Sequence, residues 1–150
     1  MSVSGLDTLS NILDTLNRGL PLAIPTETVY GLAARIDLPL AIRQIFAIKE
    51  RPVNHPLIIH CSDIEMAQRY AYFTELDLAI GQAFWPGPLT LILRKKSTVI
   101  HEVTGGLPTV GVRIPNHPTT IEIIRNINIP LAAPSANRFG KTSPTLPEHV

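Results

Sequence analysis

Two cations stand two residues apart, Lys49 and Arg51, with Pro52 directly behind them. Ser135 and Asn137 repeat the spacing further along, and Thr26, Thr28 and Tyr30 do so earlier. In an extended segment alternate side chains share a face, so a set of this kind can present its polar groups to one ligand. The chemistry that these residue types suit is the binding of a polyphosphate. Lysine supplies a compact charge, arginine forks onto two phosphate oxygens, and hydroxyl and amide donors complete the shell. Arg113 is a different case. It lies in an apolar run from Val110 to Ile114, where Val110, Val112 and Ile114 share one face and Gly111 and Arg113 the other. A buried guanidinium needs an anion, because an unpaired buried charge is very costly. A ligand carboxylate is one candidate and an internal Asp or Glu is the other.

Each set also has a plainer explanation. Lys49 and Arg51 suit a solvated helix end, Thr26 and Thr28 a turn or strand, and Ser135 and Asn137 a turn. His60 closes an apolar stretch and alone reads as a hydrogen-bonded core histidine. His55, His101, His117 and His149 show no zinc-ligand spacing, so no metal site is expected. Neither GxxxxGK[ST] nor GxGxxG occurs, which leaves the common nucleotide folds unsupported. Gly105-Gly106 reads as a turn, Trp85 as packing beside a Pro-Gly-Pro loop, and the lone Cys61 as buried and inert.

These residues must be held by a single fold. The chain has 150 residues, 45% of them apolar, enough for one domain with its own core. A formal net charge of +1 gives no global field for nucleic acid, so any anion site must be local. Neither a secretory leader over Met1 to Arg18 nor a membrane span is expected, and one cysteine suits a reducing compartment. Leu6, Leu9, Ile12, Leu13 and Leu16 follow helical spacing up to Gly19. Strands are expected over residues 20–24, 57–60, 89–93, 110–114 and 129–133. Further helices are expected from Asp37 to before Pro52, from a Ser62/Glu65 capping box to about Tyr70, from Thr74 to Phe84, and from Pro118 through Ile124. This order argues for an α/β chain with a twisted, mixed central sheet and flanking helices.

Taken in order, several segments resemble the YrdC/Sua5 family. They are Pro25-Thr26-Glu27-Thr28-Val29-Tyr30-Gly31-Leu32; Lys49-Glu50-Arg51-Pro52 with Pro56-Leu57-Ile58-Ile59-His60; Trp85-Pro86-Gly87-Pro88-Leu89-Thr90; Thr109-Val110-Gly111-Val112-Arg113-Ile114-Pro115 with His117-Pro118; and Ala133-Pro134-Ser135-Ala136-Asn137 with Ser143-Pro144-Thr145. The resemblance implies the YrdC-like fold with a concave, positively lined cavity, and one domain over 1–150 that is shortened at its C-terminal end. It implies synthesis of threonylcarbamoyl-adenylate from L-threonine, bicarbonate or CO2, and ATP carried with Mg2+. The product would pass to a separate transferase complex that modifies adenosine in tRNA, in the cytoplasm.

The family's KxR…SxN signature maps to Lys49, Arg51, Ser135 and Asn137. By the same resemblance Lys49 and Arg51 are the catalytic pair, and ATP is bound by them with His55, Thr109, Ser135, Asn137 and Ser143. Threonine is held by Thr26, Thr28, Tyr30, His60, Arg113 and the backbone near Ala133. His55 departs from the asparagine common in relatives. Two other outcomes are compatible with a cavity of this kind: a non-catalytic module binding double-stranded RNA or tRNA, and a carbamoyl-adenylate-forming domain of a maturation factor.

Overall fold

The computed structural model describes residues 5–28 and 30–134. Along the chain run α1 (Gly5–Asn17), β1 (Leu22–Ile24), β2 (Gly31–Arg35), α2 (Pro39–Lys49), β3 (Ile58–His60), α3 (Ile64–Ala67), α4 (Glu75–Phe84), β4 (Leu91–Arg94), α5 (His101–Thr104), β5 (Thr109–Arg113), α6 (Pro118–Ile127) and β6 (Leu131–Ala132). The strands form one sheet in the order β1-β2-β6-β3-β5-β4. The pair β3/β5 is parallel and the other pairs are antiparallel. The mixed sheet and flanking helices match the expected class.

Helix boundaries follow from local chemistry. Proline opens both α2 and α6, where its missing N–H costs nothing. Each of these helices ends on a left-handed residue, Glu50 and Asn128 respectively. Thr74 and Asp77 form a reciprocal capping box at the start of α4, which fixes that end as expected.

Two expected starts move by one residue. Leu38, not Asp37, precedes α2, because Asp37 is drawn into a fork with Arg35. Asp63, not Ser62, caps α3, accepting from the Met66 N–H at 2.7 Å. The buried Ser62 hydroxyl lies against Asp63 and the Met66 sulfur instead. The helix that follows is one turn long, ending at Ala67, and hydrogen-bonded turns carry the chain on to Tyr70. Neither β2 nor α5 was expected.

The core lies against one face of the sheet. Ile59, Val110, Val112 and Leu93 are at most 5% exposed there, and Leu16, Ile42, Ile45, Ile123 and Ile124 from the helices are fully buried. Burying a side chain of this kind stabilises the fold by about 2 kcal/mol. Trp85 closes one edge with its ring edge-on to Phe73 and its indole N–H donating to the Leu89 carbonyl at 2.8 Å. Gly81 is required beneath it, since a Cβ there would fall 2.8 Å from the indole. Cys61 is buried in the same core, and burial pushes its thiol up, in keeping with an inert role. Among the described residues no helix is long and apolar enough to cross a membrane.

Candidate functional site

The opposite face of the same strands carries the polar groups. Because side chains alternate, Thr109, Gly111 and Arg113 leave β5 on the side away from Val110 and Val112. The parallel register sets Ile58 beside Gly111 and His60 beside Arg113. On the other flank Ile92 pairs with Gly111 and Arg94 with Thr109. Ile58 and Ile92 remain partly exposed and approach over Gly111, where a Cβ would sit within 3.4 Å of both. The result is an apolar floor with a hydroxyl at one end and a guanidinium at the other. Four residue steps along the strand separate Thr109 from Arg113, which is about 13 Å.

Arg113 is gripped on three sides. Its Nε donates to the Gly87 carbonyl at 3.1 Å, its Nη1 to the Thr28 hydroxyl at 3.4 Å, and its Nη2 to a carboxylate oxygen of Glu27. The second Glu27 oxygen accepts from the Asn116 N–H at 2.8 Å. An internal acid therefore meets the charge of Arg113, one of the two alternatives that the sequence left open. Its Nη1 edge, with the longest contact, shares a hydroxyl with the loop after β1. In that loop Thr26 and Thr28 hydroxyls lie 3.0 Å apart, and Thr120 donates to the Pro25 carbonyl. Tyr30 is half-buried next in the chain.

His60 is 3% exposed, and its Nδ1 has no hydrogen-bond partner among the described residues. Burial and the neighbouring Arg113 charge lower its pKa to about 4, against backbone hydrogen bonding at Leu131 and Ile58. The imidazole is therefore neutral near pH 7. Ala133 lies beside Ile58, two positions back along β3, its N–H donating to the Ile58 carbonyl at 3.3 Å.

Lys49 and Arg51 bracket the left-handed Glu50, so the chain reverses between them at the end of α2. Lys49 is only 2% exposed. Burial lowers its pKa, and the Arg51 charge lowers it further. Burial also lowers that of Arg51, whose Nη2 donates to the Pro56 carbonyl at 3.0 Å. This contact places Arg51 at the entry of β3, opposite the end that carries His60. His55 is half-buried in the intervening turn, its N–H donating to the Pro52 carbonyl at 3.0 Å. Ser135, Asn137 and Ser143 lie outside the described residues. Among the described residues no group of three or more His, Cys, Asp or Glu could hold a metal ion.

The sequence singled out Thr28, His60 and Arg113, and the structure brings these together. It did not single out Glu27, the Gly87 carbonyl or the Ile58–Gly111–Ile92 floor. The one available signal was the demand of Arg113 for an anion, which does not say which acid answers it.

The family Sua5/YciO/YrdC, described as telomere recombination, matches residues 14–150. The chain belongs to this family. It is 45% identical over 136 residues to a threonylcarbamoyl-AMP synthase of Pyrococcus abyssi, covering 90% of this chain and 40% of that one. It is also 45% identical over 131 residues to the Bacillus subtilis protein of the same name, covering 86% of this chain and 38% of that one. The crystal structure of P. abyssi Sua5 complexed with L-threonine superposes with a TM-score of 0.91 at 42% identity, covering 94% of this chain and 42% of that one. The chain thus spans about two fifths of the length of these Sua5/YciO/YrdC relatives.

Proposed function

We propose that this chain carries the threonylcarbamoyl-AMP synthase activity of its family, a nucleotidyl transfer from ATP onto a carbamate of L-threonine. The observation that carries the reading is one sheet face with Arg113 and neutral His60 at one end and Thr109 at the other, the Thr28 hydroxyl meeting Arg113 and Arg51 reaching the Pro56 carbonyl just before β3. An amino acid's carboxylate suits the first end, and the anionic tail of a nucleotide suits the second.

In this reading the threonine amine captures CO2 to give a carbamate. One carbamate oxygen then attacks the α-phosphorus of ATP, and pyrophosphate leaves. Bond making and breaking both occur on the substrates, so no protein nucleophile is needed. The protein acts by holding the reactants in line and by meeting phosphate charge with Lys49 and Arg51. Magnesium arrives on the triphosphate as part of the substrate. Ser135, Asn137 and Ser143 complete the nucleotide contacts. His55 lines the nucleotide, and Thr26, Tyr30 and the backbone at Ala133 line the threonine. The product feeds a tRNA-modifying transferase complex in the cytoplasm.

The test is pyrophosphate release from ATP by the purified chain. Release that requires both threonine and bicarbonate is the expected result. Release indifferent to threonine, or none at all, overturns the assignment.

A further inference from the structure

We propose that Glu27 is a positioning residue that makes the Arg113 site select a zwitterionic amino acid over a simple carboxylate. This rests on the reading of Arg113 as the contact for the threonine carboxylate. Glu27 acts on Arg113 in two ways.

The first is geometric. The guanidinium has five N–H donors in a rigid plane. Gly87 takes Nε and Glu27 takes Nη2, while Glu27 is itself pinned by the Asn116 N–H. A fork held at two corners cannot rotate, and its Nη1 edge stays beside the Thr28 hydroxyl. The same carboxylate ties the loop bearing Thr28 to the end of β5, so hydroxyl and guanidinium are set relative to each other by one side chain.

The second is electrostatic. Arg113 is 11% exposed and Glu27 is 21% exposed at the side chain, and together they are neutral. A simple carboxylate entering this pair leaves one net negative charge at a part-buried site, which is disfavoured. A zwitterion brings its own ammonium and leaves none. Without the Glu27 charge the balance reverses. The site is then positive, a simple carboxylate neutralises it, and a zwitterion leaves the positive charge uncompensated.

The experiment titrates the full chain with L-threonine, with 3-hydroxybutyrate (threonine without its amino group) and with ATP, by calorimetry. The parent chain is expected to prefer threonine. In Glu27→Gln the threonine Kd should rise roughly tenfold while that of 3-hydroxybutyrate stays or falls, with ATP affinity unchanged. Equal weakening of both acids reduces Glu27 to a merely structural role and overturns the proposal.

Arg113→Ala separates the two levels. If it leaves threonine binding intact, the underlying site reading fails and this inference with it. If it abolishes threonine binding while Glu27→Gln leaves the preference untouched, only this inference fails. Should circular dichroism show that Glu27→Gln does not fold, Glu27→Asp carries the test. It keeps the charge but is too short to reach both Arg113 and Asn116. Both acids should then weaken with the preference kept, and a collapsed preference overturns the proposal.

Discussion

The two ends of the sheet face solve opposite electrostatic problems. At the exit of β3 and β5 the cation is answered from within: Arg113 has Glu27, and His60 beside it stays uncharged. At the entry of β3, two cations sit close enough for Arg51 to depress the pKa of Lys49. One end pairs its cation with an acid. At the other, burial lowers the pKa of both cations, and the Arg51 charge adds to that effect on Lys49. The difference teaches that one sheet face can hold two electrostatically distinct ends, and under the proposed function these would receive a neutral amino acid and a highly charged nucleotide separately.

The sharpest way to break this comparison is to remove one arginine from each end. Arg113→Ala should weaken threonine about a hundredfold, since it also strands Glu27, and leave ATP nearly unchanged. Arg51→Ala should do the reverse, weakening ATP about tenfold. Calorimetry on both variants that finds equal losses for both ligands would dissolve the distinction between the ends.

A second prediction concerns pH. With the His60 pKa near 4 in the folded chain and 6.5 when unfolded, the unfolded state binds more protons between these values. Stability should therefore fall as pH drops through that window, by on the order of 3 kcal/mol from this group. Urea midpoints at pH 7 and pH 4.5 measure the fall, and His60→Asn should flatten it. An unchanged slope in that variant would mean that other groups carry the acid sensitivity.

The smallest effect is expected at the start of α4. Thr74→Ala removes the capping box of α4 and should cost about 1 kcal/mol of stability while leaving both affinities alone. A change in threonine or ATP affinity would show that the ends are coupled to the helical layer.

Much of this organisation was readable in the residues. Pro39, Pro118, Thr74 and the alternation around Val112 carry local instructions strong enough to act alone. Strand β2 was not readable. Gly31-Leu32-Ala33-Ala34-Arg35 contains no β-branched residue, and its extended form comes from pairing with β1 and β6 on either side. At α3, both Ser62 and Asp63 are plausible caps, and only the burial of Ser62 decides between them. In the site, Arg113 announced its need for an anion, yet Glu27 lies 86 residues away, and no local pattern links the two.

The parallel alignment of β3 with β5 has a consequence for which changes the chain can absorb. A slip of β3 by one position against β5 would turn His60 into the oily interior and push Ile59 out of it, while Val112 and Arg113 kept their places. The penalty for that error falls on folding long before it could fall on ligand recognition. The hydrophobic layer thus acts as a proofreader for the polar wall behind it: any molecule that folds at all has His60 and Arg113 in step.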